Sequence, residues 1–252
     1  MKKVFDFHGG IHPAENKHQS VRTAIASAGV PKELVLPLSQ HIGAAAEPVV
    51  EVGQKVLKGQ LMAAANGFVS VPVHAPTSGQ VTAIEERLIA HPSGHSAPCI
   101  VITSDGLDQW QDCSPVENYH SADKSALLQK IRDAGIAGMG GAGFPTAVKL
   151  TVKPQAIIET LILNGTECEP YITADDMLMR ERADEIVEGA QILAHLIAPK
   201  ETIIGVEDNK PESIAALEAA AQDTDIQVVV FPTKYPSGGE KQLIEILTGK
   251  QV

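Results

Sequence analysis

Aromatic residues are scarce in this 252-residue chain: they make up 4% of it, with a single tryptophan, Trp110. Platforms for single-stranded nucleic acid need exposed rings on which bases stack. Twenty Lys and Arg against 31 Asp and Glu give a net charge of −11, without the basic footprint that a nucleic-acid partner requires. Cysteine is scarcer still, with only Cys99, Cys113 and Cys168. An odd, sparse set argues against a disulfide framework and for a reducing compartment. No two of the three form a CxxC pair, so no zinc or iron–sulfur ligand set is expected within these residues. Long apolar runs are missing too. The longest uncharged stretch, residues 59–84, is interrupted by Gly59, Gly67, Pro72, Pro76 and Gly79, so it reads as short strands and not as a membrane span. The opening Met-Lys-Lys has no apolar core after it, unlike a secretory signal. What is present, 44% hydrophobic and 20% charged residues, suits a cytoplasmic globular chain of one large or two modest domains.

Residues 1–110 read as β. Short β-branched runs at 34–38, 47–51, 68–76 and 80–84 are punctuated by Gly and Pro at the spacing of a small sandwich or barrel. Gly53-Gln54-Lys55-Val56 is echoed by Gly59-Gln60-Leu61-Met62. The polar, turn-rich stretch 106–120 marks a boundary, and residues 111–252 change period. A helix is expected over 121–134, capped by Ser121 or Asp123. A buried strand follows at 160–164, then one long amphipathic helix over 174–198 closed by Pro199. A strand at 202–206, a helix at 211–221 with proline in its first turn, a strand at 226–231 and a helix at 240–247 complete the pattern. Strands alternating with helices mean α/β with a largely parallel sheet. The chain stops after that last helix without a closing strand, the pattern of a domain truncated at its C-terminus.

Three segments carry chemistry. In Gly135-Ile-Ala-Gly138-Met-Gly140-Gly141-Ala-Gly143-Phe144-Pro-Thr the missing Cβ atoms let backbone approach a flat or phosphorylated ligand. Gly138, Gly140 and Gly143 satisfy G-x-G-x-x-G, but a helix precedes them where a dinucleotide fingerprint needs a strand. In Asn164-Gly-Thr166-Glu167-Cys168-Glu169-Pro, directly after the buried strand, Asn164 offers a carboxamide that can both donate and accept. In Tyr235-Pro-Ser-Gly238-Gly239-Glu240-Lys241 a Gly-Gly turn opens a helix whose N-terminal N–H groups can receive an anion. Read separately, the three could be a surface turn, a solvated acidic turn and an ordinary cap.

Together, and in this order, the three segments resemble the FMN- and NADH-binding segments of the flavoprotein subunit of respiratory complex I. The whole chain is closer to RnfC proteins, through Phe7-His-Gly-Gly-Ile-His-Pro13, His91-Pro-Ser-Gly94 and Val206-Glu-Asp-Asn-Lys-Pro-Glu212. The repeated Gly-Gln pattern followed by Ala75-Pro-Thr-Ser-Gly79 resembles the barrel-sandwich hybrid fold of biotinyl and lipoyl carriers. No lysine lies between Lys58 and Lys124 to carry a swinging arm.

The resemblance implies a barrel-sandwich module followed by an α/β flavin domain, in a subunit of a membrane-associated ion-translocating complex. Such a subunit would sit peripherally on the cytoplasmic side of the inner membrane and oxidise NADH with FMN. Two four-iron clusters (4Fe-4S) would lie outside these residues, and electrons would pass to a ferredoxin-like or cluster-bearing acceptor. By the same resemblance, Gly138, Gly140, Gly141 and Gly143 would lie against FMN, and Lys149 would complement its negative charge. Asn164 and Glu167 would fix the ring edge and ribityl chain, and Tyr235, Gly239 and Glu240 would complete the site. Phe144 would stack near the nicotinamide or adenine, with Glu169 and Glu240 near NADH hydroxyls. Thr166 stands where the complex I flavoproteins have aspartate.

No side chain is assigned an acid–base role, since the cofactor supplies the chemistry. No metal is assigned to His91, His95 and Cys99, whose segment is broken by Pro92, Gly94 and Pro98, or to His8 and His12. Cys168 between two glutamates is not expected to act as a nucleophile. Two alternatives stay open: a quinone-handling subunit similar to NqrA, and a docking subunit whose glycine loop is vestigial.

Overall fold

A computed structural model describes every residue except 1, 140–142 and 154. It forms two compact units, Ala28–Lys153, and Met1–Ser27 together with Pro154–Val252. The units interleave in sequence because the N-terminal segment packs with the later one, where Phe7 is buried among Ile203, Phe231 and Leu247. A division at residue 110 marks the change of element pattern, short strands before it and alternating helices and strands after.

The Ala28–Lys153 unit begins with seven strands: β1 (Glu33–Pro37), β2 (Glu47–Pro48), β3 (Lys55–Val56), β4 (Leu61–Ala64), β5 (Val73–His74), β6 (Gly79–Leu88) and β7 (Ser96–Ser104). They build two antiparallel sheets, ordered β1-β7-β6-β3 and β2-β4-β5. Leu36, Val56, Met62, Val81, Ile100 and Ile102 fill the core between them. This is the expected barrel-sandwich, with shorter strands at 47–51 and 68–76 than their apolar runs suggest. The Gly-Gln echo has a physical meaning. Gly53 and Gly59 take φ values of 93° and 81°. Each following glutamine closes its turn, Gln54 Oε1 accepting from Glu51 N and Gln60 Oε1 from Leu57 N, both at 3.1 Å. After the strands come α1 (Lys124–Asp133) and α2 (Thr146–Leu150). Asp123 caps α1, accepting from Ala126 N at 2.9 Å, which fixes the helix start three residues inside the expected range.

In the other unit a parallel three-stranded sheet, β8 (Thr160–Gly165), β9 (Glu201–Glu207) and β10 (Ile226–Phe231), is ordered β10-β9-β8. Helices α3 (Ala174–Glu181), α4 (Ala183–Ile197), α5 (Pro211–Ala221) and α6 (Glu240–Thr248) complete it. Alternation along β9 sends Ile204 and Val206 into one core with Val187, Ala190 and Leu217, and Ile203 into a second with Leu243 and Leu247. At Gly205 a Cβ would come within 2.9 Å of Leu247 Cδ1, so glycine lets α6 settle onto the sheet.

The single helix expected over 174–198 is two. Arg182 leaves helical geometry at φ −131°, ψ 32°. The buried stripe Met179, Ala183, Val187, Ala190 runs on across the break at spacings of four, four and three, so packing keeps the helical phase. Leu178 lies off that stripe and is 41% exposed. No helix among the described residues is long and apolar enough to cross a membrane.

Candidate functional site

Open α/β sheets bind ligands beyond the carboxyl ends of their strands. Here β8 ends at Gly165, β9 at Glu207 and β10 at Phe231, and the loops that follow meet one another. Asn164 is exposed at that edge. Its Nδ2 donates to Gly238 O at 2.9 Å, and its Oδ1 accepts from Thr166 Oγ1 at 2.6 Å and Thr166 N at 3.2 Å. A Cβ on Gly238 would lie 2.1 Å from Thr166 Oγ1 and 2.7 Å from Cys168 Sγ, so no other residue fits without displacing the neighbouring loop. The Gly238 amide donates to Cys168 Sγ at 2.9 Å. The second and third motif segments are thus joined into one body.

Gly239 caps α6 without a side-chain hydrogen bond, and Glu240 is exposed in the first turn. The first amides of the helix therefore lack a side-chain cap, the arrangement that receives an anion. Tyr235 is 36% exposed, and its backbone exchanges two 2.9 Å hydrogen bonds with Ile11.

Beneath this edge lie charges removed from solvent. Glu207, Lys210 and Ser237 are at most 1% exposed. Lys210 Nζ donates to Glu207 Oε2 at 2.9 Å and to Asn209 Oδ1 at 2.8 Å, while Ser237 Oγ donates to Glu207 Oε1 at 2.5 Å. The third motif segment is thereby fastened to the end of β9. A pocket of about 70 Å3 beside it is lined by Ile11, His12, Lys17, Cys168, Asn209 and Tyr235, among others.

Glu167, expected at the ring edge and ribityl chain, is directed into the protein. Its Oε1 accepts from Asp175 N at 2.7 Å and its Oε2 from Asp176 N at 3.4 Å, at the start of α3. Burial raises its pKa above the ordinary glutamate range, with the amide of Asp175 and the Lys17 charge pulling the other way. The neighbouring Glu169 is exposed, and its carbonyl accepts from Lys17 Nζ at 3.0 Å.

The glycine loop belongs to the other unit. Gly138 N donates to Phe144 O at 2.9 Å and Thr146 N to Ile136 O at 3.0 Å, pairing residues 136–138 with 144–146. Gly143 has φ 55°, and its carbonyl accepts from Ile42 N at 3.0 Å. Gly140 and Gly141 lie outside the described residues. A Cβ at Gly138 would find nothing nearer than 3.6 Å, whereas at Gly135 it would strike Pro72 O at 2.6 Å. Phe144 is half-buried and Lys149 exposed, its Nζ 5.8 Å from the Phe144 ring centroid. The loop is seated on the β4–β5 side of the sandwich. Arg132 lies 5.3 Å over the Phe68 ring and donates to Phe68 O at 3.2 Å. His41 Nε2 accepts from Val71 N at 3.1 Å and its Nδ1 donates to Ile42 O at 2.9 Å, bonds that assign the Nδ1–H tautomer.

Of the expected site residues, Asn164, Glu167, Glu169, Tyr235, Gly239 and Glu240 share one unit, and Gly138, Gly143, Phe144 and Lys149 share the other. Residue-by-residue reading missed Lys17, Glu207 and Lys210. Two of them lie in Val206–Glu212, a segment that carried the family resemblance without a role attached.

Comparisons with known proteins bear on these features. The RnfC barrel sandwich hybrid domain matches residues 5–107, and the Nuo51 FMN-binding domain matches residues 131–252. The C subunit of the ion-translocating oxidoreductase complex of Vibrio cholerae is 56% identical over 250 residues, 99% of this chain and 32% of that protein. Its counterpart in Yersinia pestis is 55% identical over 251 residues, 99% of this chain and 40% of that protein. The chain thus spans about a third to two-fifths of the length of these relatives. A crystal structure of an NAD+-reducing NiFe-hydrogenase in the air-oxidised state aligns with 55% of this chain and 27% of that one, at 30% identity and a TM-score of 0.46. By its two domain matches and its relatives, the chain belongs to the RnfC family, with an RnfC barrel sandwich hybrid domain followed by a Nuo51 FMN-binding domain.

Proposed function

We propose that this chain is the FMN- and NADH-binding part of an ion-translocating electron-transport complex, held peripherally at the cytoplasmic side of the inner membrane. Electrons would leave through two four-iron clusters outside these residues, toward a ferredoxin-like or cluster-bearing acceptor, in company with the other subunits. FMN, when bound, takes a hydride from NADH and releases electrons singly, so the chain's own contribution is position and field.

The residues suit that group. Asn164 presents a carboxamide for a ring edge or ribityl hydroxyl, and its bond to Gly238 O orients it. The first amides of α6 suit a phosphate, as does the exposed Lys149 ammonium. Gly138 keeps an open backbone face, and by the family resemblance Gly140, Gly141 and Gly143 would complete the proposed cradle. Phe144, Glu169 and Glu240 would contact NADH, and Tyr235, Gly239 and Glu240 would complete the flavin site. Glu167 would act at one remove, holding the strand-end loop onto α3.

The observation that carries this reading is the exposed Asn164 at the carboxyl end of β8, bonded directly to the glycine turn that opens α6. Titration of FMN into the purified protein should quench flavin fluorescence saturably. Asn164→Ala should weaken binding about tenfold, the worth of one good hydrogen bond, with the circular dichroism spectrum unchanged. A folded protein that leaves FMN fluorescence untouched at every concentration contradicts the proposal. Quinone-dependent changes without flavin binding would favour an NqrA-like role instead.

A further inference from the structure

Lys17 has three ammonium protons and three backbone carbonyls to receive them. Its Nζ donates to Glu167 O at 2.7 Å, Glu169 O at 3.0 Å and Ile172 O at 2.7 Å. The Glu167 carboxylate stands 3.6 Å away, and the two side chains are 11% and 2% exposed. Such convergence is not what a loop adopts unaided. Carbonyl dipoles aimed at one point repel each other, and two non-glycine residues of the loop, Glu167 at φ 53° and Tyr171 at φ 68°, take left-handed backbone. Conformations of that kind persist only where their surroundings over-determine them. Residues 15–20 supply further restraint, with Tyr171 N donating to Glu15 O at 2.8 Å and Ser20 Oγ to Tyr171 O at 3.3 Å.

We propose that loop 167–172 is a monovalent-cation cage whose resident cation is the Lys17 ammonium, which makes Lys17 a positioning residue for the segment bearing Asn164, Thr166 and Cys168. Carbonyl oxygens replace the hydration shell of potassium in the same way. Ammonium and potassium are close in size, whereas lithium is far smaller and more strongly hydrated. Emptied of its tethered occupant, the cage selects potassium or ammonium over lithium. Any consequence for flavin rests on the function proposed above; the cage itself does not.

The test is Lys17→Ala in chlorides of matched ionic strength. Potassium or ammonium should raise its thermal midpoint by about 2–4 °C over lithium or choline, an effect absent from the wild type. Lys17→Met, whose uncharged side chain fills the entry, should show no such preference. In the wild type, acylation of Lys17 by acetic anhydride should run about tenfold slower than that of the exposed Lys124 and Lys241. Equal midpoints of Lys17→Ala in all four salts would overturn the cage, as would a Lys17 as reactive as Lys124. Should Lys17→Ala fail to fold in every salt, the wild-type labelling decides alone. If the protein binds FMN, Lys17→Ala should lose about tenfold in affinity in lithium and regain it in potassium. Absence of FMN binding by the wild type would remove the flavin reading and leave the salt dependence of the midpoint standing.

Discussion

In the Ala28–Lys153 unit the glycine loop is held by main chain against main chain: Ile42 to Gly143, Gly138 to Phe144, Thr146 to Ile136. Around the parallel sheet strand-end loops are held by charged side chains sunk out of water, with Lys210 on Glu207 and Lys17 on three carbonyls. The two ways of holding a loop fail differently. A backbone-held loop responds to shape, above all to any Cβ at a left-handed position, and is indifferent to titration. A loop held by buried charge tolerates modest changes of shape elsewhere but loses heavily when one partner is neutralised, because the other is left unpaired in a poor solvent for charge.

The largest effect expected from that contrast is at Lys210. Lys210→Met strands Glu207 and should cost about 3–5 kcal/mol of unfolding free energy, read by urea denaturation. Replacing both partners, Glu207→Leu with Lys210→Met, should recover part of the loss. A single variant costing under about 1 kcal/mol, the scale of a solvent-exposed pair, would break the comparison.

On the shape side, Gly143→Ala forces φ 55° on a residue with a Cβ and should cost about 1–2 kcal/mol with no dependence on pH. Gly238→Ala, inside the charge-held unit yet packed against Thr166 Oγ1, should cost about 1–3 kcal/mol through overpacking. Equal tolerance of alanine at Gly143 and at Gly53, where a Cβ meets nothing within 4 Å but φ is also positive, would show that backbone geometry and not contact sets the cost.

The smallest effect sharpens the electrostatic half. Burial raises the Glu167 pKa, so the folded state holds that proton more tightly than the unfolded chain does. The stability it contributes is full below the ordinary glutamate pKa and is lost as pH rises through the raised value. Glu167→Gln should flatten that part of the stability–pH profile, as measured by denaturation from mildly acid to neutral pH. An identical slope in the variant would place the titration elsewhere.

Much of the architecture was legible in the residues because its signals are local. Proline at the first turn of α5, the apolar run of β8, the cap at Asp123 and the Gly-Gln turns each act within a few residues of themselves. Arg182 was not legible, since the apolar stripe it interrupts keeps its phase on both sides. Lys17 was invisible for another reason. Its partners lie about 150 residues away and are backbone carbonyls, which no side-chain pattern announces. Domain limits show the same separation of levels. Residues 131–153 match the FMN-binding domain by sequence, yet they pack within the Ala28–Lys153 unit, because Gly135 and Gly143 are shaped to Pro72 and His41.

The proposed function requires flavin to meet the edge where Asn164 and Gly238 are joined. The most direct measurement is anaerobic addition of NADH to the FMN-loaded protein, followed by visible flavin absorbance. Bleaching within the mixing time is expected, abolished or slowed at least tenfold in Asn164→Ala. Persistent oxidised absorbance in a protein shown to hold FMN would contradict the proposed function.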